Sequence, residues 1–152
     1  MHKTDIEILL ENTDALKLSL KWINHSFELC KNIEEYKNLD INEYDKLETL
    51  TSRFARTTDI LFNKVFRSIV LIETGSNKSL LDTLLYFSKV KLIENNEKAR
   101  FLKELRNDIA HDYLQEDLFE LFENIMAHTD ELITLAERTI NYIDDLMIKL
   151  KG

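Results

Sequence analysis

A chain of 152 residues with no proline and only two glycines, Gly75 and Gly152, has few means of turning a strand back on itself. Hairpins and β-meanders draw on Gly, Pro and Asn for their tight turns, because those residues supply the required φ values at low cost. A fold built from many short strands is therefore excluded in practice, and the chain reads as all-α. Its length predicts one domain over residues 1–152, large enough for a sizeable core.

Apolar periodicity divides the chain into about five helices. The first is predicted from about Thr4 to Tyr36. Its seam of Ile6, Leu9, Thr13, Leu16, Leu20, Ile23, Phe27 and Cys30 steps by three and four residues. A second helix is predicted from about Glu43 to Glu73, with Leu47, Leu50, Phe54, Leu61, Val65 and Ile72 on one face. Thr74-Gly75-Ser76-Asn77 breaks it, Gly75 being suited to a left-handed C-terminal cap. Ser79 is suited to the N-cap of a short third helix ending near Val90. A fourth runs from Asn95 or Asn96 to about His111. The last begins near Gln115 or Asp117 and spans about 50 Å. Long helices with narrow seams and short connectors predict an antiparallel up-and-down bundle.

Charge narrows the possible functions. The net charge is −8, so bulk electrostatics do not favour nucleic acid, and any such contact needs a local basic patch. On a wheel of the second helix, Arg53, Arg56, Lys64 and Arg67 fall within about 80° of one another, opposite the apolar face. That stripe reads as a solvated face, as a guide for an RNA backbone, or as a contact for a partner protein. Cys30 is the single cysteine, which precludes an intramolecular disulfide and fits a reducing cytoplasm. The opening residues lack an apolar core of signal-peptide length, and Ile69-Val70-Leu71-Ile72 is too short to span a bilayer. The expectation is a cytoplasmic protein with no membrane contact.

Chemistry concentrates in Arg106-Asn107-Asp108-Ile109-Ala110-His111-Asp112-Tyr113. A guanidinium binds phosphate oxygens bidentately and stays charged. An imidazole moves protons near neutral pH. Together they match the needs of RNA cleavage by the 2′-hydroxyl without a metal. No Cys/His cluster with zinc spacing and no glycine-rich phosphate loop is present, so neither metal nor cofactor is expected. Helical geometry complicates the pair. Arg106 and Tyr113 share a face, whereas His111 lies about 140° from Arg106. Either the helix ends or kinks near Ala110, or two copies of the motif meet across a dimer. Trp22, Phe62, Phe66 and Phe87 read as core or interface residues.

The run Leu102-Lys103-Glu104-Leu105-Arg106-Asn107-Asp108-Ile109-Ala110-His111-Asp112-Tyr113 resembles the signature of HEPN-domain proteins. More narrowly, it resembles the HepT-like toxins paired with minimal nucleotidyltransferase antitoxins, whose Arg-x4-His-x-Tyr motif is matched by Arg106, His111 and Tyr113. The stretch Leu50 to Asp59 is similar to that family's second helix, and the resemblance covers about residues 45 to 125. It implies a homodimeric, metal-independent endoribonuclease with its site at the subunit interface. His111 then matches the catalytic histidine, Arg106 the phosphate-binding arginine, and Asn107 the supporting polar residue that commonly follows it. Tyr113 matches the tyrosine that the nucleotidyltransferase modifies with AMP. Some relatives with this motif are instead described as non-catalytic substrate-binding partners of nucleotidyltransferases, which is the alternative function.

Overall fold

The computed structural model describes residues 2–112 and 118–152. Every regular element among them is helical. Helix α1 spans Asp5–Cys30 and α2 spans Ile41–Asp59. A π-helical turn, Ile60–Val65, follows without a break and leads into α3, Phe66–Thr74. These three pieces form one rod over residues 41–74. Helix α4 spans Leu80–Lys89, α5 spans Asn96–Asp112 and α6 spans Phe119–Lys151.

Sequence-local chemistry sets most of the ends. Thr4 caps α1 by accepting the Glu7 amide at 3.1 Å. Asp40 and Glu43 form a reciprocal capping box, with the Glu43 amide 2.8 Å from Asp40 and the Asp40 amide 3.2 Å from Glu43. That box starts α2 slightly before the expected Glu43. Gly75 takes a φ of 81° and its amide reaches the Leu71 carbonyl at 2.8 Å, ending the rod as expected. Ser79 caps α4 by accepting the Asp82 amide at 3.1 Å.

Two expectations need correction. Helix α1 stops at Cys30, short of Tyr36. The seam continues past the helix end, since Ile33 is buried and Tyr36 packs against the core, so hydrophobic spacing alone overshoots the boundary. The second helix is also not a uniform α-helix. At its centre the Phe66 amide bonds the Leu61 carbonyl, five residues back. The extra residue in that turn rotates everything beyond it by about 100° relative to a straight α-helix.

The rod packs against all four other helices. Ser19 meets Thr57, and Asn12 donates to Ser68, so α1 and the rod run antiparallel. Arg106 meets Asp59 and Lys103 meets Asn63, so α5 is antiparallel to the rod as well. Tyr44 stacks edge-on against Phe122, and Tyr142 donates to Glu73, which places α6 parallel to the rod. The long elements thus alternate in direction along the chain, as an up-and-down bundle requires. Phe54, Phe66, Phe87 and Phe122 are fully buried in its core. Cys30 is buried too, and burial pushes its thiol up to about 11.

Lys91 carries a left-handed φ of 65° in the connector after α4. Arg138 pins that connector by donating to the Lys91 carbonyl at 2.8 Å and pairing with Glu94 at 2.8 Å. A side chain in this region costs about 1–2 kcal/mol, part of which glycine recovers. Lys91→Gly is expected to raise stability by about 0.5–1 kcal/mol in urea unfolding, and a destabilised variant would contradict the account.

Candidate active site

Arg106 and His111 both lie in α5, a helix whose Ala99, Leu102, Leu105 and Ile109 are buried. Those four residues fix the helix's rotation and leave Asn107, Asp108 and His111 exposed. Arg106 is aimed at the rod. Its Nε donates to Asp59 Oδ1 at 2.9 Å and its Nη2 to Oδ2 at 3.0 Å. The two side chains are 27 % and 39 % exposed, so the pair is neither fully solvated nor dehydrated. A guanidinium carries five N–H donors, and this fork uses two of them. The Nη1 edge, with the second Nη2 hydrogen, remains to grip a phosphate in a second bidentate contact. Asp59 thus orients Arg106 without exhausting it.

The pair stands in an open cleft of about 600 Å³ between the rod and α5. Ser52 and Ala55 lie on its α2 side, and Arg56 and Lys64 add two further cations. A neighbouring depression of about 560 Å³ shares Ser52, Ala55 and Arg56 and extends towards Arg53 and Ile109. The anticipated basic stripe is therefore divided among three tasks. Arg56 and Lys64 join Arg106 at the cleft. Arg53 is committed to α1, where its Nη1 donates to Ser26 Oγ at 2.6 Å and to the Trp22 carbonyl at 3.1 Å, and it lies over the Trp22 ring. Arg67 lies beyond the π turn in a separate depression.

His111 is exposed and has no hydrogen-bond partner among the described residues. Asn107 is exposed as well. Helix α5 continues through Asp112, so the offset of about 140° between Arg106 and His111 is retained within one chain. His111 is not among the residues that line the cleft holding Arg106. Tyr113 lies outside the described residues. Phe62, Phe66 and Phe87 belong to the core, whereas Trp22 is exposed beneath Arg53. Among the described residues, no group of three His, Cys, Asp or Glu is placed to hold a metal ion, and no helix is long and apolar enough to cross a membrane.

Asp59 was not singled out from the sequence. A signal existed: it is the sole carboxylate between Glu48 and Glu73, in a segment with four cations. A lone acid in a basic stretch invites a search for the cation it serves.

No protein-family model, curated protein or solved structure gives a significant match to this chain.

Proposed function

We propose that the chain is a metal-independent endoribonuclease of the HEPN type, a HepT-like toxin working as a homodimer. The observation that carries this reading is the presentation of Arg106. It is fixed by Asp59 through two of its five donors, lines the same cleft as Arg56 and Lys64, and is 27 % exposed. Such a site receives a phosphodiester. In the proposed reaction the 2′-oxygen attacks phosphorus, the 5′-oxygen leaves, and a 2′,3′-cyclic phosphate forms. Arg106 stabilises the added negative charge, with Asn107 in support. His111 moves the protons. The angular offset within one chain motivates the dimer, in which the histidine of one copy serves the arginine of the other.

Control is assigned to a minimal nucleotidyltransferase antitoxin that transfers AMP to Tyr113. The added phosphate would pair with Arg106 and block the cleft. A second reading, a non-catalytic subunit presenting substrate to that transferase, draws on the absence of His111 from the lining of that cleft in one chain. RNA cleavage by purified protein in EDTA separates the two. Products with 2′,3′-cyclic or 3′-phosphate ends support the ribonuclease, and intact RNA supports the presenting subunit.

Asp59 supplies a further test, as a positioning residue. Asp59→Asn keeps the shape but removes the charge and one arm of the fork. The kcat for RNA cleavage is expected to fall by about ten- to a hundredfold, since small misplacements of a catalytic group cost that much. KM should change little, because Arg106 keeps its charge. An unchanged kcat would leave the ion pair with a structural role alone.

A further inference from the structure

Beyond the π turn, a second, separate depression of about 200 Å³ lies between the rod, α4 and α5. Three cations converge there from three parts of the chain: Arg67 from α3, Lys78 from the connector before α4, and Lys103 from α5. No carboxylate lines it. None of the three cations makes a salt bridge among the described residues, and Lys103 Nζ donates to the neutral Asn63 Oδ1 at 3.1 Å. In a chain with 28 acidic and 20 basic residues, three cations around an acid-free depression are a concentrated exception.

Its position relative to Arg106 gives it a use. Lys103 precedes Arg106 by three residues on α5, about 4.5 Å along the axis and on nearly the same side. Arg67 follows Lys64 by three residues on the antiparallel rod. Lys64 and Arg106 line the first depression, and Arg67 and Lys103 line the second, so each pair forms a cationic rung between the same two antiparallel helices. Lys78 adds a third cation at the second rung. The buried Thr83 and Phe62 and the exposed Leu80 give that rung a partly apolar wall.

We infer that Arg67, Lys78 and Lys103 form a second phosphate subsite, which holds the backbone of a single-stranded RNA beside the phosphodiester gripped at Arg106. The inference rests on the ribonuclease reading for the identity of the polymer. The chemistry of the site is that of a polyanion track, in which spaced cations follow a backbone without reading sequence. It also answers the net charge of −8: the molecule repels polyanions as a whole while two cationic depressions between the rod and α5 attract them.

The test is fluorescence anisotropy with an end-labelled single-stranded RNA of about eight nucleotides, a length that spans both rungs. The protein carries His111→Ala so that the RNA stays intact, and affinity is followed against salt. Adding Lys78→Ala with Lys103→Ala is expected to weaken binding about tenfold at low salt and to flatten the logarithmic salt slope by about 0.7–1. Lys103→Arg, which keeps the charge, should restore most of the loss. Lys149→Ala with Lys151→Ala, at the far end of α6, is the control for net charge alone. An unchanged slope would overturn the subsite, as would an equal loss in the α6 control. Intact RNA binding with lost binding to a nucleotidyltransferase would also overturn it, marking a protein contact instead. Absence of cleavage by the native chain, with the slope still flattened, would sink the ribonuclease reading and leave the subsite standing.

Discussion

His111→Ala is expected to lower RNA cleavage by about a hundred- to ten-thousandfold, the range that a positioned acid–base group supplies. The change should be chemical and not structural. His111 is exposed and touches no partner among the described residues, so circular dichroism and the melting temperature should match the native protein. Native activity should survive EDTA, because the proposed mechanism uses an imidazole and a guanidinium. Arg106→Ala should fall as far, for loss of charge stabilisation at the phosphate. Its cost in stability should be small, as a partly exposed ion pair contributes about 1 kcal/mol or less. The measurement is a single-turnover assay on short RNA with chromatographic separation of the products. A His111→Ala protein with full activity, or native activity lost in EDTA, would remove the mechanism. The dimer is tested in the same assay: mixing inactive His111→Ala with inactive Arg106→Ala should restore activity, since a mixed dimer carries one intact composite site.

Phe66→Ala is expected to cost about 3–5 kcal/mol, the range for removing a buried phenyl ring. Phe66 is fully buried where the π turn passes into α3. Its ring lies 5.0 Å from Phe62 at 65° and 4.9 Å from Phe87 at 67°, both edge-on. Those contacts join the widened turn to α4, and each edge-on pair adds about 0.5–1.5 kcal/mol beyond burial. Against a total stability of about 5–15 kcal/mol, the loss is large. A fall of about 10 °C in melting temperature follows for a chain of this size. Urea unfolding followed by circular dichroism reads it directly. A loss below about 1 kcal/mol would mean that the core collapses around the vacated space, contrary to the packing described.

Much of the architecture was legible because helices announce themselves locally. The scarcity of glycine and proline excluded a strand-rich chain, and the three-and-four spacing placed each long element. Gly75 and Ser79 ended and began helices as their chemistry dictates. The end of α1 was misplaced because Ile33 and Tyr36 prolong the apolar spacing while the backbone leaves the helix. The π turn was illegible because it is held by five-residue hydrogen bonds that impose no residue type, and by packing at Phe62, Phe66 and Phe87. Site legibility divided along the same line. Arg106 and His111 stood out through their spacing. Asp59 lies 47 residues from Arg106, and no local rule connects the two. The fate of Arg53 was hidden likewise, since the Ser26 hydroxyl and Trp22 carbonyl that occupy it belong to α1.

The π turn also bears on what insertions and deletions do to this molecule. Elsewhere in the rod, losing a residue would leave a helix out of phase with its neighbours. Within 60–65 the same loss would return the hydrogen-bond ladder to ordinary four-residue spacing, so the backbone would heal where the side chains suffer. The damage would be one of phase: Arg67 would swing away from Lys103, and Phe66 away from Phe87, while Asp59 kept its grip on Arg106. One supernumerary residue thus sets the phase between the part of the rod that holds Asp59 and the part that carries Phe66 and Arg67, within a single uninterrupted helix.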